Sequence, residues 1–441
     1  MGAVHERGWL FRAAAAVLAV ASGMMFGGCT VVPGPDPSEP ALPTSTSPRS
    51  TSPTPPASTP ATAPPSAIPT STADRLPPIP AVELKAQLEQ YSQRLINAGA
   101  PAVLLELRVG AEVWTHAAGV RNSAGEAARL TDPVHVGDIT QPLVAVSVLK
   151  LAEEGRLSLD EPASTYLPEL DSLLHQPEPY TVRRLLGHTS GMPDYYAALL
   201  ASVAPRQALA TRLSPTDKLA LAAMLPWERR RAQTFSYSNS NYIALGLIVE
   251  RLRGRPLADV LRADVGQPLG LDGTRMTADG PVPEDMVHGY ARIDGEAVDA
   301  TYAAVHIGSA ATGLVSTVSD LNAFFDALLD GRLVRRERVA EMQGPVHAEY
   351  GLGLFQWNDR CTNGFYYGYV GDVPGYGTVA MASADGSRRL ALAVAYPQRP
   401  FPEDPAVQGA NGILAGMTQL AEDTLNGSCR LGGDVWFGQG P

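Results

Sequence analysis

The chain has 441 residues, of which 45% are hydrophobic and 18% charged, and its 34 Lys and Arg against 45 Asp and Glu give a formal net charge of −11. That length suffices for one large or two ordinary domains with a sizeable core. The acidic balance argues against a nucleic-acid partner, and three cysteines are too few for a disulfide-stapled mini-protein. The one long apolar run, residues 13–26, falls short of the ~20 residues a membrane span needs, so a polytopic membrane protein is excluded as well.

In chain order, Arg7 and Arg12 precede that apolar run, the layout of a secretory signal. It ends at Phe26-Gly27-Gly28-Cys29. Small residues before a cysteine, directly after such a run, resemble the lipobox of bacterial lipoproteins, with Phe26 where Leu is usual. The resemblance implies cleavage after residue 28 and acylation of Cys29. The expectation is a protein that is exported and held by a lipid anchor on the outer face of the bacterial cell membrane. Residues 33–72 then hold 13 Pro, 8 Ser and 8 Thr, too little apolar surface to bury and many missing donors. Residues 29–77 therefore read as a disordered stalk.

The folding part is expected over 78–441. Leu84, Leu88, Tyr91 and Leu95 share one face of a helix predicted over 81–98. Runs 102–109 and 111–118 around Gly110 predict a hairpin. An amphipathic helix is expected from Leu143 to Glu154, closed by Gly155, and the middle of the chain, about 155–270, reads as helical. Near the end, runs 378–384 and 389–396 flank Asp385-Gly386, a strong hairpin signal. A last helix is expected over about 406–425. No period of 20–50 residues repeats. The fold class is α/β: an antiparallel sheet built from both ends of the domain, flanked by helices, with an all-α portion between.

Five stretches carry a resemblance that covers roughly residues 80–425. They are Leu185-Leu186-Gly187-His188-Thr189-Ser190-Gly191-Met192-Pro193-Asp194, Phe235-Ser236-Tyr237-Ser238-Asn239-Ser240-Asn241-Tyr242, Thr312-Gly313-Leu314-Val315-Ser316-Thr317 with Asp320, Tyr350-Gly351-Leu352-Gly353, and Gly371-Asp372-Val373-Pro374-Gly375-Tyr376. In this order and spacing they resemble the serine β-lactamase and penicillin-binding-protein superfamily, closest to class C enzymes and their esterase-like relatives. The resemblance implies an α/β sandwich domain beside an all-α domain, with the active site in the groove between them. Members attack an acyl group with the Ser of Ser-x-x-Lys, whose amine takes the hydroxyl proton.

Here that position reads Gly137-Asp138-Ile139-Thr140-Gln141, so both nucleophile and base are replaced. A Gln amide cannot take a proton at neutral pH. Asp-x-x-Gln before an apolar run instead predicts a capping box, with Asp138 at the N-cap and Gln141 reaching back. A literal Ser147-Val148-Leu149-Lys150 lies nine residues beyond Asp138, on the opposite side of the helix and ~13 Å further along, so it is not a catalytic pair. Tyr237-Ser238-Asn239 keeps the family's Tyr-x-Asn. Tyr369-Val370-Gly371 stands where the family has Lys-Thr-Gly or His-x-Gly. His188 reads as structural rather than as a base.

Asp138, Gln141, Tyr237, Asn239 and Tyr369 therefore form the candidate site, a degenerate family pocket with no assigned catalytic residue. With Cys29 acylated, Cys361 and Cys429 remain as an even pair and predict a disulfide in an oxidising compartment. No clustering of His, Cys and carboxylates suggests a metal, and no cofactor is expected. Three functions follow from these readings: a catalytically degenerate lipoprotein that binds a cell-wall peptide, a glycan or an envelope protein; an active hydrolase of esters, amides or β-lactams using Asp138 as base with Tyr237; or a structural surface protein. The expected partners are the membrane through the lipid and one such envelope ligand; the domain is expected to be a monomer.

Overall fold

The computed structural model describes residues 80–176, 178–227, 234–277, 279, 281–347, 349–402 and 412–429. The expected signal, Cys29 and the stalk lie outside the described residues. Over residue 77 onward the chain forms one compact unit.

Its main element is a six-stranded antiparallel sheet. The first helix, α1 (Ala81–Asn97), leads into the hairpin β1 (Ala102–Val109) and β2 (Glu112–Gly119). From the other end come β8 (Phe355–Asp359), β9 (Gly364–Val373), β10 (Tyr376–Ser383) and β11 (Arg388–Ala395), and the sheet order is β2-β1-β11-β10-β9-β8. The two ends of the domain meet where Ala102 of β1 pairs Ala395 of β11, in register to Val109 opposite Arg388. Gly110 and Gly386 take positive φ at the two hairpin turns, the conformation that glycine adopts without strain.

Side-chain alternation assigns the two faces. Val103, Leu105, Leu107, Leu390, Leu392 and Val394 pack with Leu84 and Leu88 of α1 and with Met417, Ala421 and Leu425 of the last helix, Gly412–Ser428. The opposite face carries small residues, Ala380, Ala382, Ala391 and Ala393, against which the helix Val318–Leu329 lies. Small side chains on that face let a helix approach the backbone closely. A three-stranded sheet, β3 (Val134–His135), β7 (Leu314–Ser316) and β4 (Arg275–Met276), leads from this sandwich to the site.

The helix that carries the site, α2 (Thr140–Glu153), differs from the expectation in two ways. It starts at Thr140 rather than Leu143, and it is not amphipathic: every residue from Thr140 to Leu149, and Leu151, is buried. The reason is its place against the helix Asn239–Arg253 on one side and the helical segments Leu257–Leu261 and Arg262–Gly266 on another, so that apolar side chains are covered on more than one face. Pro142 is tolerated because its missing N–H falls in the first turn, where no intrahelical acceptor exists.

Cys361 and Cys429 are joined by a disulfide that ties the strand end after β8 to the end of the last helix, across a sequence separation of 68 residues. Closing a loop of that size constrains the unfolded chain by about 4 kcal/mol in the chain-entropy treatment. Replacing both cysteines by alanine should lower unfolding stability by about 2–4 kcal/mol. Denaturant titration reads this, and a change under about 0.5 kcal/mol would show that the bridge contributes little.

Candidate functional site

Asp138 sits in a single 3₁₀ turn, Gly137–Ile139, directly before α2. The capping-box expectation fails here. The N-cap of α2 is Ile139, no side chain caps the helix, and the Asp138 carboxylate turns away from the first-turn amides. It turns because two donors from distant elements converge on it, with Gln141 of the same turn close by. Tyr237 Oη donates to Asp138 Oδ1 at 2.5 Å, Gln141 Nε2 approaches the same oxygen at 3.4 Å, and the backbone N–H of Asp372 donates to Oδ2 at 3.2 Å. Thr140 Oγ1, by contrast, bonds Gly137 O and closes the turn locally.

Gln141 is buried and fully used. Its Nε2 donates to the Tyr237 hydroxyl oxygen at 2.5 Å. Its Oε1 accepts from Tyr369 Oη at 2.7 Å and lies 3.1 Å from His188 Nε2. The His188 tautomer follows from its other nitrogen, which accepts the backbone N–H of Ser238 at 3.3 Å and lies 3.0 Å from Asn241 Nδ2. With Nδ1 an acceptor, Nε2 carries the proton and donates to Gln141. Tyr350 Oη completes the chain, 3.1 Å from Tyr369 Oη.

Of the five predicted residues, the structure brings Asp138, Gln141, Tyr237 and Tyr369 into one network. Asn239 is not bonded to it. Its Nδ2 and backbone N–H both go to Asp194 Oδ2, at 2.9 and 3.1 Å, and its Oδ1 is buried without a partner. Ser147 and Lys150 take no part: Ser147 Oγ is buried and unpaired, and Lys150 Nζ donates to Asp264 O at 2.5 Å. Reading the sequence missed Tyr350 and the Asp372 backbone N–H as members. The only signal for the second was Gly371. A Cβ there would fall 2.0 Å from Val136 O, so only glycine lets β9 come close enough to aim the next amide at Asp138.

The network contains no cation. His188 is held down to about 3 by burial, so the imidazole is neutral. Burial and the neighbouring Asp138 keep the Tyr237 phenol protonated well above its usual range. The Asp138 carboxyl is pushed up to about 7, chiefly by desolvation, against the opposing pull of the Tyr237 hydroxyl and the Asp372 amide. Asp138 is only half-buried, so water in the cleft moderates that rise, and Tyr237 keeps 36% of its surface exposed. Chemically, the arrangement offers a carboxylate with a pKa near neutrality and a phenol. It has no serine hydroxyl with an amine base beside it, and the backbone N–H of Asp372 is already taken by Asp138.

A protein-family model described as Beta-lactamase matches residues 84–416. Penicillin-binding protein 4* of Bacillus subtilis (strain 168) is 25% identical over 276 residues, covering 58% of this chain and 59% of that protein. Esterase EstB of Burkholderia gladioli is 32% identical over 199 residues, covering 43% of this chain and 50% of the esterase. The chain thus spans about half to three fifths of the length of these two relatives. Among solved structures, a D-stereospecific amidohydrolase from Streptomyces sp. superposes with a TM-score of 0.62 at 27% identity, over 71% of this chain and 94% of that one. A penicillin-binding protein from Bacillus halodurans shares the fold, with a TM-score of 0.60 at 22% identity over 76% and 98% of the two chains. The chain belongs to the beta-lactamase family, among the serine β-lactamases, penicillin-binding proteins and related serine hydrolases.

Two outcomes follow for the network. Gln141→Leu strands the Tyr369 hydroxyl and the His188 N–H in the interior, and should cost about 2–4 kcal/mol of stability by denaturant titration. Because the folded pKa of Asp138 lies above its ordinary value of 3.8, the folded state binds more protons than the unfolded chain between about pH 4 and 7. The Asp138 contribution to stability is therefore present at low pH and lost as pH rises through about 7. Asp138→Asn should flatten that part of the stability profile, and an unchanged profile would place the carboxyl pKa at its ordinary value.

Proposed function

We propose that this member of the beta-lactamase family is catalytically degenerate, and that it binds a cell-wall peptide, a glycan or an envelope protein in the family cleft. One observation carries the reading. Asp138 stands where the family places its nucleophilic serine, and its carboxylate occupies the Asp372 N–H, a backbone donor that would otherwise be free for an oxyanion. The base position is Gln141, whose amide is bonded on both sides and holds no lone pair that can take a proton at neutral pH. A family fold whose serine and lysine positions hold Asp138 and Gln141 supports binding over turnover.

A second reading is favoured by one specific feature, the Asp138 carboxyl at about 7, which is the range suited to a general base. In that case Asp138 would take a proton from water, and activity would rise as pH passes through about 7 and the carboxyl ionises. We also propose the envelope location: Cys29 is acylated, and the Pro, Ser and Thr segment spaces the domain from the membrane. Palmitate labelling in cells should follow Cys29 and disappear in Cys29→Ala. Labelling that persists in that variant removes Cys29 as the anchor.

The test of the main reading is intact-mass spectrometry of the protein incubated with penicillin or an activated ester, alongside a turnover assay. No acyl adduct and no turnover are expected. Asp138→Ser alone should change little, since no amine would activate the new hydroxyl and paired catalytic groups act as a unit. Asp138→Ser with Gln141→Lys should return weak acylation, because Tyr237 remains and the Asp372 N–H is freed. A stoichiometric adduct on the unaltered protein would overturn the reading. Turnover without an adduct, abolished in Asp138→Asn, would establish the general-base reading instead.

A further inference from the structure

The six-stranded sheet has β8 at one edge and β2 at the other, and the chain treats the two edges differently. On the outer side of β8, Gln356 N–H donates to Glu349 O at 3.0 Å, and the Asn426 side chain takes Asn358 O at 3.3 Å and Arg360 N–H at 2.9 Å. That edge is closed by the chain itself. The β2 edge is open. Val120 N–H donates to Pro101 O at 2.8 Å, so residue 120 turns its backbone toward β1. Backbone direction alternates along an antiparallel strand, which turns residues 119, 117, 115 and 113 outward. Ala128 N–H agrees with this parity, reaching Gly119 O from the outer side at 3.1 Å. The N–H and C=O groups of Val113, Thr115 and Ala117 therefore point away from the sheet, and no backbone group among the described residues pairs with them.

Open edges are ordinarily blunted by a charge, a proline or a bulge. From Val113 to Ala118 the strand reads Val-Trp-Thr-His-Ala-Ala, and its register with β1 runs without interruption. It has none of the three devices. The side chains of Val113, Thr115 and Ala117 are exposed on one face. Trp114 and His116 share the other, stacked 5.8 Å apart. Burial holds His116 below its ordinary 6.5, so this residue too is uncharged at neutral pH.

The strand is complementary to itself. In an antiparallel pairing about a twofold axis at Thr115, every outward residue meets an outward residue. Thr115 meets Thr115 of the second copy, and Val113 meets Ala117 in both directions. Threonine opposite threonine is a favourable cross-strand pair, and on the other face Trp114 stands opposite His116 of the second copy. No like charges are opposed, since the first charged residue, Glu112, falls opposite Ala118. In a chain of net charge −11, this neutral stretch is a place where two copies can meet without that repulsion. Gly119 O is already taken by Ala128, which ends the pairing at Ala117. We infer that β2 is a dimerisation edge, at which two copies of the chain pair antiparallel about Thr115 and join their sheets into one. A single strand-to-strand contact is small, so this dimer is reversible and its population depends on concentration. The inference does not depend on what the Asp138 cleft binds.

Analytical ultracentrifugation of the full chain over about a hundredfold range of concentration should show a reversible monomer–dimer equilibrium. Hydrogen exchange at the amides of Val113, Thr115 and Ala117 should slow as the dimer fills. Thr115→Pro removes both hydrogen bonds of the central pair and spares the β1 ladder, in which the Thr115 N–H takes no part. It should weaken dimerisation about thirtyfold, the worth of two hydrogen bonds. Thr115→Lys keeps the backbone and sets two ammonium groups opposite each other, so it should weaken the dimer too, and more so at low salt. Circular dichroism checks the fold of both variants, and Thr115→Lys decides should Thr115→Pro unfold. A chain that stays monomeric with those amides exchanging fast overturns the inference. So does a monomer in which they are protected, because another segment of the same chain then covers the edge. A dimer that folded Thr115→Pro and Thr115→Lys form as well as the unaltered chain overturns it as well.

Discussion

The constraint on which the candidate site depends is the close contact between β9 and the turn before α2. Gly371 lies against Val136 O so tightly that a single Cβ would stand 2.0 Å from that oxygen. Everything in the candidate site depends on this approach. It brings the N–H of Asp372 to Asp138, and two residues back along the strand, on the same face, it brings Tyr369 over Gln141. Gly137 makes the reciprocal adjustment. It takes φ +52°, and a Cβ on it would lie 3.1 Å from Asp372 N. Two glycines, one on each side, thus let a strand from the end of the chain share a site with a helix from its beginning.

That geometry explains why the fold was more legible than the site. The hairpins around Gly110 and Asp385-Gly386 follow from period-two apolar runs and local turn chemistry, which any short window contains. The disulfide was legible for a compositional reason, one even pair in a chain read as exported. The burial of α2 was not, because its cover comes from the helix Asn239–Arg253, some hundred residues away, and periodicity reports a face only when one side meets water. The capping-box reading of Asp138 failed for the same kind of reason. Locally, Asp-x-x-Gln does favour a cap. The Tyr237 hydroxyl and the Asp372 amide, both distant in sequence, outcompeted the first-turn amides for the carboxylate.

The resemblance carried what local pattern could not. It marked positions 138, 141, 237, 239 and 369 as neighbours before any contact was visible, and the network unites four of them. Asn239 departs because its amide is held by Asp194, a residue at the end of the His188 segment whose carboxylate also caps the next helix. Asp194 therefore sets the position of two elements at once. On one side it holds the first residue of the helix Asn239–Arg253, and on the other it caps the helix Tyr195–Ser202.

The electrostatics of the site explain why Asp138 and Gln141 occur together. A lysine at 141 beside a carboxylate at 138 would form an ion pair, and a buried pair must recover a desolvation cost of several kcal/mol per ion. An amide avoids that cost while still serving both sides: its N–H₂ meets Tyr237 and Asp138, and its oxygen meets Tyr369 and His188. Tyr369 fits the same logic. The phenol shares the Gln141 oxygen with the His188 N–H, donating to it while accepting from Tyr350. The changes at 141 and 369 each replace a basic side chain by a neutral one, and the carboxyl introduced at 138 is held by neutral donors. The result is a network in which Asp138, Gln141, Tyr237, Tyr369 and His188 hydrogen-bond to one another, and in which the carboxylate at position 138 accepts only from neutral donors.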